Sequence, residues 1–283
     1  MSTSTYKSAL LPLLSYPQPT LPAAITTAID AAAALNLRLV GLDLEINPPA
    51  SAGLSGYAMP VVGATIDAED AKTRANAEAI AHDFQSQTRR RGVTAELQRV
   101  KCNALDASGL AAEAARLFDL TIVTLAPHAR ADRELAEAVL FGSGRPALLL
   151  PLFYPAQITA FDRVVVAWDA RRASARALSD ALPFLRRAKE VCLVAVTEEN
   201  SRVVQSLHHV ERQLKDHGVS AIVARIDAAE SSDYGAIVGH VKNVNANLLV
   251  MGAFGHSRVR DFILGGVTQS VLADLTMPVL FSH

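Results

Sequence analysis

Cysteine is scarce in this chain of 283 residues: Cys102 and Cys192 are the only two. That excludes a disulfide framework, and two thiols set in apolar, strand-like runs read as buried and inert in a reducing compartment. Charge of one sign is lacking as well, with 27 Lys and Arg against 28 Asp and Glu and a formal net charge of -1. Without a basic excess there is no general pull toward nucleic acid or an anionic membrane, so any bound anion must be held by local geometry. Long hydrophobic runs are missing too. The longest, Pro146 to Ala156, carries three prolines and is too short to cross a bilayer. At the start, Lys7 followed by Ala9 to Leu14 imitates a secretion signal, but no small-residue cleavage site follows and Pro17 and Pro19 come at once. It reads as a first β-strand of a cytoplasmic protein.

What is present is a globular composition, half apolar and 19% charged, in a chain long enough for two domains. Short apolar runs alternate with longer helical ones. Ser8–Leu14, Leu37–Leu42, Gly92–Leu97, Leu120–Leu125 and Pro146–Leu152 read as strands. Between them, Leu21–Leu35, Ala68–Arg91, Ala107–Phe118 and Asp132–Phe141 read as helices. The order then recurs, with strands at Arg163–Trp168, Val191–Val196, Ala221–Ile226, Leu248–Met251 and Pro278–Phe281. The intervening helices are Ser174–Ala188, in which Pro183 ends or kinks the run, Ser201–His217, Tyr234–Asn243 and one beginning near Gly266. Such alternation predicts an α/β fold with parallel, doubly covered sheets. Arg91-Gly92-Val93-Thr94-Ala95 matches His217-Gly218-Val219-Ser220-Ala221, and each half closes with a proline opening an apolar run. Two copies of one unit follow, at 1–152 and 161–283, joined near Phe153–Gln157. The first copy carries an insertion, Asn47–Ile66, whose Gly, Pro and Ser content predicts a surface loop.

The stretch that points to chemistry runs from Val250 to Thr268, after a buried strand and into a helix. Gly252 and Gly255 allow tight turns and close backbone approach. Gly265 and Gly266 stand at a helix N-terminus, where unpaired N–H groups and the helix dipole favour an anion, and Thr268 adds a hydroxyl in the first turn. Ligands of open parallel sheets collect at the carboxyl ends of the strands, where this loop falls.

Glycine, two residues, glycine, nine residues, glycine resembles the ATP-binding signature of the universal stress protein family, and Gly252, Gly255 and Gly265 keep that spacing. The flanks Val250-Met251, Val267-Thr268 and Met277-Pro278-Val279-Leu280 are similar as well, so the likeness spans Phe161 to His283. The resemblance implies two doubly wound units, each a five-stranded parallel sheet, and ATP or a related adenine nucleotide, with magnesium as its companion ion, in the second. It assigns the site to Ala167 and Asp169 at the end of the first strand, Val196 at the end of the second, and Met251, Gly252, Gly255, His256, Arg258, Gly265, Gly266, Val267 and Thr268 along the loop. It also implies pairing through the last strands as an internal pseudo-dimer, with a homodimer between chains left open. Gly266 departs from the family's Ser or Thr, and losing one neutral hydrogen bond of about 1 kcal/mol weakens binding roughly tenfold. In the first half, Ala126–Arg130 has no glycine pair and Ser15-Tyr16-Pro17 lacks the aspartate, so that half is expected to bind no nucleotide.

Plainer readings stand beside these. Asp169 either caps the following helix or contacts the ligand. Trp168 reads as packing; Arg171, Arg172 and Arg176 read as a solvated face. His256, Arg258 and Arg260 either reach phosphates or face water. Adjacent His208 and His209 diverge by about 100° on a helix, and no Cys/His cluster has metal-ligand spacing. No nucleophile elbow, Walker motif or dinucleotide glycine pattern occurs. The expectation is a stress-response or regulatory binding protein, not an enzyme, with a nucleotide-free scaffold or an ATP hydrolase as the alternatives.

Overall fold

The computed structural model describes residues 6–47, 59–155, 157–196, 202–226, 233–253 and 266–283, with backbone alone at 59–67 and 266–267. The N-terminal half runs β1 (Ser8–Leu14), α1 (Pro22–Leu35), β2 (Arg38–Asn47), α2 (Met59–Arg91), β3 (Ala95–Asn103), α3 (Ala107–Ala115), β4 (Leu120–Leu125), α4 (Arg130–Gly142) and β5 (Ala147–Pro151). The C-terminal half repeats this order as β6 (Arg163–Ala167), α5 (Arg172–Leu185), β7 (Glu190–Val196), α6 (Arg202–Asp216), β8 (Ala221–Ile226), α7 (Asp233–Asn243), β9 (Leu248–Gly252), α8 (Gly266–Ala273) and β10 (Val279–Ser282).

All ten strands join one sheet in the order β3-β2-β1-β4-β5-β10-β9-β6-β7-β8. Within each half every pairing is parallel. The halves meet antiparallel at β5 and β10, with Val279 opposite Leu149 and Phe281 opposite Ala147. The α/β architecture expected from the alternation is the one that forms, and the last strand is its internal seam.

Side-chain alternation explains the layers. Ala9, Leu11 and Leu13 enter one buried cluster with residues of α1, α2, α5 and α6, while Leu10 and Leu14 enter the other with residues of α3, α4, α7 and α8. Both clusters run through both halves, so the two copies share their core. The repeated Gly-Val dipeptides are identical helix stops. Gly92 (φ 65°) and Gly218 (φ 79°) take the left-handed conformation, and the next N–H, of Val93 or Val219, reaches back to Thr88 or Leu214.

Tyr6 links the copies from the first strand's approach. Its ring meets Phe184 edge-on at 6.0 Å, and its hydroxyl donates to the Asp180 carbonyl at 2.5 Å. Burial, ahead of the nearby Asp180 carboxylate, holds this phenol above its ordinary range. Tyr6→Phe should lower stability by about 1 kcal/mol, read from the urea midpoint of the whole chain.

Two expectations need correction. The surface loop predicted over 47–66 fails at its end, because α2 begins at Met59; residues 48–58 lie outside the described residues. Pro60 is no obstacle, since a first-turn residue has no intrahelical N–H bond to lose. Cys102 is buried as expected, but Cys192 is only half-buried, and its Sγ lies 3.3 Å from His240 Nε2. Burial raises both thiols above their ordinary range.

A polar cluster fastens α2 to the sheet. Asp43 on β2 and Arg99 on β3 are register partners; Asp43 is fully buried, and Arg99 Nε donates to its Oδ2 at 2.7 Å. The same guanidinium donates to Glu78 at 2.5 Å and to the Ala77 carbonyl at 3.1 Å, both on α2.

Candidate functional site

β6 and β9 are neighbours in the sheet, yet the chain leaves β6 in one direction and β9 in the other. A doubly wound sheet opens a crevice at such a switch point, beyond the strand ends. Here the crevice is a cavity of about 250 Å³. Six residues assigned from sequence stand on its wall or floor: Ala167, Asp169, Val196, Met251, Gly252 and Thr268. Gly266 and Val267 open α8 directly before Thr268, which is buried at 2% exposure. Gly255, His256, Arg258 and Gly265, with Arg260, lie outside the described residues.

Gly252 is fixed by packing. A Cβ placed there would stand 2.5 Å from the Ala173 carbonyl carbon and the Ser174 nitrogen, so the first turn of α5 lies directly against the end of β9. That turn is held from several sides. Asp169 Oδ1 accepts the Arg171 N–H at 2.9 Å, and the buried Ser174 hydroxyl accepts the same N–H at 3.2 Å while donating to the Arg171 carbonyl at 2.9 Å. Between them Ala170 is left-handed, at φ 59°, a conformation costing a residue with a Cβ about 1 kcal/mol. Asp169 secures the N–H just ahead of α5, and its half-exposed carboxylate borders the cavity.

Trp168 donates its backbone N–H to the Val194 carbonyl at 2.7 Å and its indole N–H to Ser206 at 2.8 Å. Its ring packs on the core, as expected, and also lines the cavity. Sequence reasoning missed Arg171, Ser174, Val194, Val203, Asp233 and Ile237 as cavity residues. Ser174 carried a usable signal, a hydroxyl in the first turn of the helix after the aspartate. Val203 and Ile237 carried none, because apolar residues on a helix look the same whether they face a core or a pocket. The cavity is therefore apolar over much of its wall, with two carboxylates, one guanidinium and two hydroxyls at its polar margin. Among the described residues no His, Cys, Asp and Glu group of three is arranged to hold a metal ion, and no helix is long and apolar enough to cross a membrane.

With this geometry in view, the comparisons with known proteins agree. The model of the universal stress protein family matches residues 160–283. A universal stress protein of Synechocystis is 26% identical over 136 residues, which is 46% of this chain and 45% of that relative, so the match spans about half the relative's length. The solved universal stress protein of Archaeoglobus fulgidus superposes with a TM-score of 0.65 at 17% identity, covering 97% of each chain. A functionally unknown protein of Pseudomonas aeruginosa superposes at 0.57 and 13% identity, over 98% of this chain and 92% of its own. At these identities the two structures establish the fold over both halves.

Proposed function

Because residues 160–283 match the model of the universal stress protein family, we propose that the chain is a stress-response regulator binding ATP or a related adenine nucleotide in its C-terminal half. The same reading divides it at 1–152 and 161–283. The observation that carries it is the switch-point cavity, which gathers Ala167, Asp169, Val196, Met251, Gly252 and Thr268 from distant parts of the sequence. Its volume of about 250 Å³ suits a nucleoside rather than a whole nucleotide, given that pockets enclosing drug-sized ligands start at roughly 300 Å³. The base would lie against Val194, Val196 and Val203, and the sugar hydroxyls would donate to Asp169. The phosphates would extend to the N-terminus of α8, where the helix dipole and first-turn backbone favour an anion. Magnesium would arrive on the phosphates.

Recognition rather than turnover is proposed. Asp169 is already engaged by the Arg171 N–H, which suits it to holding a loop and a sugar rather than to taking a proton from water. Titration calorimetry with ATP and magnesium should give saturable heat, and Asp169→Ala should weaken binding about tenfold or more, as loss of a hydrogen bond to a charged group does. No heat at millimolar nucleotide would remove the proposal. That result would favour the second reading, an interaction module without nucleotide, for which Gly266 in place of a hydroxyl residue is the supporting feature.

A further inference from the structure

The N-terminal half, expected from its sequence to bind no nucleotide, has a cavity of its own, of about 260 Å³. It opens beside β1 and β4, the strands at the switch point of that half, between the starts of α1 and α4. The linker from β1 to α1 forms one side. Thr20 folds it back, its N–H donating to the Leu14 carbonyl and its hydroxyl accepting the Leu14 N–H, both at 2.8 Å.

The lining is chemically unlike that of the other cavity. Pro12, Val123, Leu135 and Leu152 supply an apolar body, and no Lys or Arg stands among the described lining residues. The arginines of α4's first turns are turned to partners on their own helix, Arg130 to Glu134 at 2.7 Å and Arg133 to Glu137 at 2.9 Å. A phosphate would find no counter-charge here. The one charged group on the wall is Asp132, whose Oδ2 accepts the Ala126 N–H at 2.9 Å. Among the described residues it makes no other hydrogen bond or ion pair. Burial raises this carboxyl above its ordinary range, and the Ala126 hydrogen bond offsets the effect in part. A half-buried carboxylate with one neutral donor keeps acceptor capacity that a cation can use.

We propose that this cavity is a second ligand site, specific for a small amine with a compact apolar body, its ammonium on Asp132 and its body among Pro12, Val123, Leu135 and Leu152. The site is independent of nucleotide binding in the other half.

The test uses the full chain with labelled Leu and Val methyl groups and three probes of one shape: phenethylamine, phenethyl alcohol and phenylacetate. Phenethylamine should shift the Val123, Leu135 and Leu152 methyls and saturate in the millimolar range usual for fragment-sized ligands. Phenylacetate should not, and Val194, Val196 and Val203 in the other cavity should stay still. Asp132→Asn keeps an oxygen to accept the Ala126 N–H, so the loop should persist. It should weaken the amine about tenfold or more while leaving the alcohol unchanged. Equal binding of amine and carboxylate, an amine affinity untouched by Asp132→Asn, or no response of these methyls to any probe would each overturn the proposal.

Discussion

Gly252→Ala should cost the protein about 3 kcal/mol or more, the upper range for forcing extra atoms into a packed site. The added methyl would fall 2.5 Å from two backbone atoms of α5 and 2.8 Å from the Ala173 Cβ. A crowded side chain escapes by changing rotamer; the backbone of a helix's first turn moves only if the helix moves. α5 carries Ala177, Ala181, Phe184 and Leu185 into the shared core, so displacing it loosens packing well beyond the site. Trp168, the single tryptophan, sits at this junction, and its fluorescence in a urea titration reports the change. Gly239→Ala on α7 is the matched control, because nothing lies within 4 Å of its added methyl. It should stabilise by about 0.5–1 kcal/mol, the helix advantage of Ala over Gly. A Gly252→Ala protein with the parent midpoint would show that α5 does not rest on β9 as described.

This result separates what could be read in the sequence from what could not. The glycine spacing marked the right strand end, but it suggested approach to a ligand, and the partner that demands Gly252 is a helix 78 residues earlier in the chain. Strand positions were legible where apolar runs are short and sharply bounded: Ser8–Leu14 and Leu120–Leu125 are β1 and β4 to the residue. The start of α2 was not, because Gly, Pro and Ser dominate the segment before it and composition carries no information about a helix end whose stability comes from docking. Asp169 was legible as a residue with two candidate roles, and its hydrogen bond from the Arg171 N–H, ahead of α5, was not legible in the sequence. The N-terminal cavity was invisible, since its signal is a missing glycine pair and a lone Asp132 in the first turn of a helix, where acidic residues are common for dipole reasons alone. Nothing local in that sequence says that β4 and the β1–α1 linker leave space between them.

Arg99→Met should cost about 3 kcal/mol at neutral pH, the lower end of the range for breaking a buried pair by removing one partner, because Arg99 keeps some solvent contact. Glu78 is mostly exposed and loses little, and Glu45 retains Lys101 at 3.3 Å. Asp43 bears the loss, since its carboxylate is fully buried and Oδ1 has no hydrogen-bond partner among the described residues. In the parent chain burial already raises the Asp43 carboxyl above its ordinary range, while the Arg99 hydrogen bond and charge pull it down. Removing the guanidinium takes away both opposing effects, so the folded-state value climbs further. A carboxyl raised on folding contributes stability that is complete below its unfolded value and lost as pH rises through its folded value. The Arg99→Met penalty should therefore be largest at neutral and alkaline pH and shrink on acidification, as the stranded carboxylate takes up its proton. Adding Asp43→Asn removes the buried charge, so the double variant should recover most of the loss and its pH dependence. Urea midpoints of the four proteins across that pH range close the cycle. A pH-independent penalty would place the cost in the lost Ala77 contact on α2 instead of in the stranded carboxylate.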